Sequence, residues 1–379
     1  MTNPVPPRAG YDKKAGLVLQ GGGALGSYQA GVYEVLAHSD YLPDWVAGIS
    51  IGAINAALIA GNAPSRRVAR LQDFWNEVTA PTACWPAAIP ALAAAQRQAS
   101  GIASMMFGQP GFFAPRPPLE FLSGHGPASW YDTAALKTTL ERLVDFDRIN
   151  AREMRLSVGA VAVRTGNFAY FDNARTTIRP EHIMASAALP PGFPAIEIDG
   201  EQYWDGGLVS NTPLQYMMET LPRFSRIVFQ VDLFSARGHN PSTLDQVDTR
   251  AKDIRYSSRT RAVTDSFRHQ HDLGHNIQLL WERLPEELRQ LPEAQHLYNA
   301  SCITVMDIVQ LVYRPQDDQG TARGYEFSRP TMRQRWAAGA ADATATLRAS
   351  PWLAPPPRHA GVRTFDVGLR HAHHAAGRA

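Results

Sequence analysis

The chain is poor in cysteine, in charge and in long apolar runs. Its two cysteines, Cys84 and Cys302, lie far apart among 379 residues and show no spacing pattern. Neither a disulfide framework nor a cysteine-based metal site is therefore indicated. Charged residues make up 19% of the chain and the net charge is +2, which excludes the strong electrostatic field of a nucleic-acid-binding protein. No run of about 18 apolar residues occurs, which argues against a membrane-spanning helix.

The N-terminus also lacks the apolar core of a signal peptide. We therefore expect a cytoplasmic protein, with peripheral contact to a membrane left open. The pattern of apolar and turn-forming residues predicts a sequence of five regions. These are a flexible proline-rich lead-in at 1–13, an α/β catalytic domain at 14–240, an apolar insertion within it at 79–130, a helical extension with a late strand at 241–350, and a disordered tail at 351–379.

A serine stands between two glycines where a strand is predicted to turn sharply into a helix. Ser50 lies between Gly48 and Gly52, after a short apolar strand at 42–47 and before an alanine-rich helix at 53–60. Glycines permit the crowded turn that exposes the hydroxyl. The helix directs its first N–H groups to the place where an oxyanion would form. This arrangement is typical of a nucleophile elbow.

A second glycine cluster, at residues 21–26, follows an apolar strand at 16–20 and precedes a helix at 27–36. Consecutive glycines let several backbone N–H groups point to one place, where they bind a phosphate or the oxyanion of a tetrahedral intermediate.

The same cluster fits the dinucleotide-binding fingerprint through Gly21, Gly23 and Gly26. That fingerprint needs an acidic residue at the end of the second strand, about 20 residues further on. Asp44 has nearly that spacing, but it precedes the apolar end of its strand, and Ser50 occupies the tip. A dinucleotide-binding oxidoreductase therefore remains the alternative and not the first interpretation.

Asp205 is followed by Gly206 and Gly207, after a hairpin turn at Asp199-Gly200. The two glycines let the aspartate protrude from a tight turn. A serine hydroxyl needs a partner that accepts its proton, and a carboxylate in a partly desolvated pocket does this if its pKa is raised. An ordinary Asp-Gly turn is the other interpretation of this tripeptide.

In this order, the glycine loop, the Ser50 elbow and the Asp205 turn resemble the patatin-like phospholipases over residues 14–235. The resemblance implies a three-layer α/β/α fold with a mainly parallel sheet, and a lipid acyl hydrolase that needs no cofactor or metal. Ser50 would be the nucleophile and Asp205 the general base. The oxyanion hole would be formed by Gly21, Gly22, Gly23, Ala24 and Ile51, with motif support from Gly26, Gly48, Gly52, Gly206 and Gly207.

The chain departs from the family pattern at one position of the glycine loop. Many relatives carry a basic residue where this chain has Leu25. Ester hydrolysis is therefore better supported than phospholipid as the substrate, and the expected partner is a lipid or another hydrophobic ester. A non-catalytic lipid-binding protein with a vestigial elbow is a third hypothesis. The oligomeric state does not follow from the sequence.

Four of the histidines that follow Asp205 are considered for a Ser-His-Asp triad, which needs a histidine after the acid in chain order. His239 lies in a loop, whereas His269, His271 and His275 lie on a predicted helix. None stands beside a strand-end turn with small residues, which disfavours a triad. Histidines spaced four apart also suit a metal, but no cysteine is near. A solvated helix face is the favoured interpretation.

The insertion at 79–130 contains methionine and phenylalanine clusters, including Met105, Met106 and Phe107, and few charges. Its prolines and glycines predict that it does not form one long helix. The composition fits either a deformable lid that meets acyl chains or a bilayer, or an ordinary apolar cap on the core.

Overall fold

The structure is a computed structural model, which describes residues 13–79, 90–122, 128–301, 304–315 and 320–368. The strands are β1 (Lys14–Leu19), β2 (Trp45–Gly48), β3 (Ala114–Pro115), β4 (Tyr131–Asp132), β5 (Arg155–Ala162), β6 (Phe168–Asp172), β7 (Ile196–Ile198), β8 (Glu201–Asp205), β9 (Arg226–Asp232), β10 (Met306–Val312) and β11 (Val362–Phe365). The α-helices are α1 (Ser27–Leu36), α2 (Ile51–Ala60), α3 (Arg67–Val78), α4 (Pro90–Phe107), α5 (Ala134–Leu143), α6 (Phe146–Asn150), α7 (Pro180–Ser186), α8 (Leu214–Glu219), α9 (Leu244–Trp281), α10 (Glu286–Arg289), α11 (Pro292–Ala300) and α12 (Arg329–Ala349).

Within the described residues, nine strands form one sheet in the order β11-β10-β9-β1-β2-β5-β8-β7, with β6 also paired to β5. The six strands from β11 to β5 run parallel, whereas β6, β7 and β8 pair in antiparallel fashion. The central strands are continuous apolar runs because both faces of a parallel sheet are covered. The predicted mainly parallel sheet is confirmed.

Alternate side chains of β1 pack into two different apolar clusters. Leu17 and Leu19 lie in a cluster with residues of α1, α2 and α12. Val18 points to the other face, where it belongs to a cluster with Met217 of α8 and Phe267 of α9. Side chains alternate across a strand, so helices cover both faces of the sheet. The three-layer α/β/α prediction is confirmed.

The C-terminal extension packs directly against the N-terminal α/β region and extends its sheet. β10 pairs along β9, and α12 packs on α1. The two helices cross with their backbones in contact, because a Cβ atom at Gly31 would lie 1.9 Å from the Trp336 carbonyl oxygen, and one at Gly339 would lie 2.1 Å from that of Tyr28. The extension is mainly helical, as predicted, and beyond its strand β10 the sheet is extended by β11.

The prediction of disorder from residue 351 onward is wrong for residues 351–368. Trp352 is buried and its indole N–H donates to the Tyr41 hydroxyl at 3.0 Å, while Val362–Phe365 pairs with β10. The prediction failed because it rested on the proline- and arginine-rich composition of the whole segment, and the few residues that anchor it to the core barely change that composition. Residues 369–379 and residues 1–12 of the lead-in lie outside the described residues.

The insertion also differs from its prediction, because α4 is one helix of 18 residues. Pro90 stands at its first position, where proline costs no hydrogen bond. Gly101 does not break the helix but allows close packing, since a Cβ atom there would lie 2.8 Å from the Cβ of Ala322. In the described part of the insertion, the helix is followed by a turn at Gly108 and Gly111, which have φ of 76° and 65°. Residues 80–89 and 123–127 of the insertion lie outside the described part.

Candidate active site

Ser50 occupies the tight turn between β2 and α2 in a conformation that non-glycine residues rarely adopt. Its φ is 56° and its ψ is −127°, and such strain costs on the order of 1–3 kcal/mol. The Ser50 N–H donates to both the carbonyl oxygen and the side-chain oxygen of Ser186, each at 3.1 Å. These bonds hold the turn in place, with the first residue of α2, Ile51, immediately after the serine.

The glycines on both sides of Ser50 are required by close backbone contacts. A Cβ atom at Gly48 would lie 2.2 Å from the carbonyl oxygen of Gly52, and one at Gly52 would lie 2.3 Å from that of Leu19. Any side chain at either position would force the strand, the turn or the helix apart. The elbow is thus closed against the end of β1, which brings Ser50 beside the glycine loop.

The topology of β5 explains how Asp205 reaches Ser50. β2 pairs with β5 only as far as Gly48, opposite Val158. β8 then pairs with β5 from Ala160 onward, with Asp205 opposite Ala160. Over these residues β6 pairs with the opposite edge of β5. β8 therefore pairs with the same edge of β5 as β2 does, starting beyond the point where β2 ends. Asp205 therefore enters just beyond the end of β2, next to the serine turn.

Asp205 is buried beside the serine turn. Its carboxylate accepts from the Gly207 N–H at 2.7 Å. Burial raises the pKa of Asp205 to about 7, although the nearby Ser50 hydroxyl and the Gly207 N–H act to lower it. A carboxylate with this pKa is a much stronger base than an ordinary aspartate, so it is suited to accept a proton near neutral pH.

The glycines after Asp205 have separate structural roles. A Cβ atom at Gly206 would lie 2.6 Å from the Gly159 carbonyl oxygen, so only glycine lets the turn lie against β5. Gly207 donates its N–H to the Asp205 carboxylate. The turn therefore fixes the orientation of the carboxylate toward Ser50.

The glycine loop presents backbone N–H groups beside Ser50. Gly22, Gly23 and Ile51 line the same cavity as Ser50 and Asp205, whereas Ala24 does not. Within the described residues, no hydrogen bond engages the N–H groups of Gly22, Gly23, Ala24 or Ile51. Gly23 has a φ of 58°, which glycine adopts without strain. The N–H groups of Gly22, Gly23 and Ile51 are therefore available to stabilise an anion in the cavity, whereas the predicted donor Ala24 lies outside its lining.

Gly21 does not serve as an oxyanion donor, contrary to the prediction. Its N–H donates to the Asn211 carbonyl oxygen at 3.2 Å, because the loop still pairs with residue 211 as it leaves β1. Gly21 instead keeps space for the serine, since a Cβ atom there would lie 3.0 Å from the Cβ of Ser50. Gly26 faces the core, where a Cβ atom would lie 2.5 Å from Ile51.

Several residues that position these motifs were missed by the sequence reasoning. Asn211 donates its side-chain N–H to the Gly21 carbonyl oxygen at 3.0 Å. Asn55, on α2, donates to the carbonyl oxygen of Gly26 at 3.0 Å and accepts from the indole of Trp75. Asn211 follows the Asp205 turn closely in sequence, and this proximity was the available signal.

The cavity that contains Ser50 and Asp205 has a volume of about 190 Å³, and one part of its wall is aromatic. Phe112, Phe113, Phe193 and Phe327 all line it, and their rings contact one another at centroid distances of 5.3–6.3 Å. Phe112 and Phe113 belong to the insertion. The insertion therefore contributes directly to the wall beside the catalytic candidates.

The structure does not support the dinucleotide interpretation. Asp44 precedes β2, at the amino end of the strand, where it forms an ion pair with Arg226. The glycine loop and Ser50 lie at the carboxyl end of the parallel strands. The required acidic residue is thus at the wrong edge of the sheet.

The histidines lie away from the cavity, whose described lining contains none. His271 and His275 are buried on α9, and His275 contacts the carbonyl oxygens of Thr304 and Arg358. The predicted solvated face is therefore wrong for these two residues. Among the described residues, no group of histidine, cysteine and acidic side chains has the geometry of a metal site.

A family model described as Patatin-like phospholipase matches residues 17–218, which is more than half of the chain. The chain belongs to the patatin-like phospholipase family. A second model, described as Patatin phospholipase, matches residues 254–359. The resemblance predicted from the sequence is thereby confirmed. Membership of this family implies an ester-hydrolysing enzyme.

Two solved structures are similar to this patatin-like chain. VipD from Legionella pneumophila is 14% identical, over 99% of this chain and 78% of VipD, with a TM-score of 0.36. A chain of the ExoU–SpcU complex from the type III secretion system of Pseudomonas aeruginosa is 17% identical, over 67% of this chain and 52% of the other, with a TM-score of 0.27. Scores this low add nothing to the family match. None of the curated proteins compared matches the chain.

Proposed function

We propose that this protein is a lipid acyl hydrolase that cleaves carboxylic esters with a Ser50–Asp205 dyad. The observation that carries the proposal is that the Ser50 hydroxyl lies beside a buried carboxylate, Asp205, whose pKa is raised to about 7. Together they line a cavity that also contains available backbone N–H groups. Membership of the patatin-like phospholipase family supports the same reaction.

The reaction follows from these positions. Ser50 attacks the ester carbonyl carbon while Asp205 takes the proton of its hydroxyl. The N–H groups of Gly22, Gly23 and Ile51 stabilise the resulting oxyanion. The C–O bond of the ester then breaks, and Asp205 returns the proton to the leaving alcohol. A water molecule, deprotonated by Asp205, attacks the acyl-enzyme and releases the carboxylic acid, which restores Ser50.

The aromatic wall favours an apolar acyl group. Each methylene removed from water contributes about 0.8 kcal/mol, or about fourfold in affinity. We therefore expect kcat/KM for p-nitrophenyl esters to rise about two- to fourfold per methylene from acetate upward, until the cavity is filled. A series of esters assayed with the purified full-length chain measures this slope.

Two outcomes would contradict this account, the first of the reaction and the second of the acyl-binding surface. Turnover at background for every ester, with retained binding to lipid vesicles, would instead support the non-catalytic lipid-binding hypothesis. A slope that is flat or falls with acyl length would exclude the aromatic wall as the acyl-binding surface.

We also propose that the insertion contacts a lipid surface beside the cavity. Met106, Phe107, Leu119, Leu122 and Trp130 are all exposed apolar side chains of this region, and each is more than half exposed. Trp130 directly precedes a residue that lines the cavity, so the patch adjoins the proposed site. Within the described residues, no helix has the length and hydropathy needed to cross a bilayer.

The double variant Phe107→Asp/Leu122→Asp tests this contact. We expect at least a tenfold lower affinity for phosphatidylcholine vesicles in a flotation assay, because two charges would have to enter the interface. Leu280→Asp is the matched control, since Leu280 is similarly exposed on α9 and lies 24 residues, or about 36 Å of helix, beyond Tyr256. Equal loss in both variants would contradict the assignment.

A further inference from the structure

Part of the cavity wall comes from the C-terminal extension and is polar. Lys252 and Tyr256 of α9 line it, together with Arg323 and Tyr325 of the short 3₁₀ segment Thr321–Tyr325. Lys252 and Tyr256 are four residues apart, so they share one face of α9. The motifs of the catalytic region contribute no cation, since Leu25 of the glycine loop is buried in the core. The extension therefore supplies both positive charges of the described cavity lining.

Arg323 is held firmly at this position. Its guanidinium forms an ion pair with Asp253, and the two side chains are only 11% and 14% exposed. Its carbonyl oxygen accepts from the fully buried Arg335 at 3.1 Å. The next residue, Gly324, lies against the glycine loop, since a Cβ atom at Gly23 would be 2.3 Å from its carbonyl oxygen. Arg323 is thus positioned next to the proposed oxyanion hole.

The ion pair with Asp253 orients Arg323 and uses only part of the N–H groups of its guanidinium. Asp253 accepts from Nη2, whereas a guanidinium carries five N–H donors. Asp253 is not part of the cavity lining. The lining groups of this wall are therefore two cations and two phenols, all of which can donate hydrogen bonds. Phosphate oxygens accept hydrogen bonds only, so the wall matches a phosphodiester.

We infer that Arg323 and Lys252 are specificity-determining residues that bind a phosphodiester on the alcohol part of the substrate. This inference rests on the proposed ester hydrolysis at Ser50. The acyl chain would lie against the aromatic residues, and the phosphate would lie against Arg323 and Lys252. The enzyme would therefore prefer a glycerophospholipid to a diacylglycerol with the same acyl chains.

The test compares dioctanoyl-glycerophosphocholine with dioctanoylglycerol in the same non-ionic detergent micelles. The phosphocholine group has no net charge, so a preference for it reports contacts in the cavity and not attraction to a charged surface. We expect wild type to favour the phosphodiester at least tenfold in kcat/KM. The double variant Arg323→Gln/Asp253→Asn, which removes both members of the ion pair, should reduce this ratio about 10- to 100-fold, as expected for a lost charge-assisted hydrogen bond.

Lys252→Gln provides a second measurement that leaves the Arg323–Asp253 ion pair in place, since it removes only the exposed ion pair of Lys252 with Asp248. It should reduce the ratio about 3- to 30-fold. Arg268→Gln is the matched control, since Arg268 is an exposed arginine of the same helix, ion-paired with Asp265 and outside the cavity lining. Its ratio should equal that of wild type.

Each outcome is decisive. A wild-type ratio near one, or a ratio unchanged in both Lys252→Gln and the double variant, would overturn the inference while leaving ester hydrolysis intact. Absence of turnover with either lipid and with p-nitrophenyl esters would overturn the proposed function itself.

Discussion

Replacing Asp205 by asparagine is expected to lower ester turnover about 10²–10⁴-fold, the contribution typical of a general base. Asparagine keeps an oxygen that accepts from the Gly207 N–H, so the turn should retain its shape. It cannot accept the proton of the Ser50 hydroxyl. The measurement is kcat for p-nitrophenyl butyrate at pH 8, where most of the wild-type Asp205 is ionised.

Asp232 offers a closely matched control. It is also fully buried, and its burial raises the pKa to about 7. It lies at the end of β9, where Gln230 donates to it, and it does not line the cavity. Asp232→Asn should therefore retain turnover within a few-fold of wild type. Equal loss in both variants would mean that burial of a carboxylate, and not contact with Ser50, accounts for the effect.

Stability measurements separate loss of the base from loss of the fold. Because the pKa of each carboxyl is raised from 3.8 to about 7, the folded protein holds protons that the unfolded chain releases between about pH 4 and 7. The stability contributed by the protonated carboxyls is therefore lost as pH rises through that window. Asparagine does not ionise, so both variants should melt above wild type at pH 8. The pH profile of wild-type kcat/KM should rise to a plateau above pH 7.

Ending the chain at residue 240 is expected to abolish both cooperative unfolding and ester turnover. The truncated chain would lose β10 from the edge of β9, α12 from its close crossing with α1, and Arg323–Tyr325 from the glycine loop. Buried core residues of the extension, such as Met332 and Leu347, would be missing. The remaining apolar surface would be open to water, at roughly 25 cal/mol per Å².

A chain that ends at residue 368 is the control, because it retains every C-terminal residue that the structure describes. Thermal unfolding followed by circular dichroism, with an ester assay on the same samples, distinguishes the two. A chain ending at residue 240 that melts cooperatively and hydrolyses esters would show that the extension is a separate domain.

The motifs of the candidate site could be predicted because their signals are local. Glycines flank Ser50 and follow Asp205 where a Cβ atom would lie only 2.2–2.6 Å from neighbouring backbone atoms. Because only glycine fits at such positions, the requirement is visible in the sequence as a glycine. The periodicity of β1, β2, α1 and α2 was equally local. The family resemblance then connected Ser50 to Asp205, which lies 155 residues away.

The rest depends on contacts between distant segments, which periodicity does not report. The position of β8 follows from where β2 stops pairing with β5, and no residue of β8 signals this. Arg323 and Lys252 sit in polar stretches typical of a solvated surface. Trp352 lies among prolines, and only its burial against Tyr41 shows that the chain is ordered there.

Covalent labelling with a fluorophosphonate probe tests the central claim most directly. The labelled peptide is identified by mass spectrometry, and the labelling rates of wild type, Asp205→Asn and Asp232→Asn are compared. The proposed dyad predicts a single adduct on Ser50, formed at similar rates in wild type and Asp232→Asn and at least 100-fold more slowly in Asp205→Asn. An adduct on another residue, or equal rates in all three proteins, would contradict it.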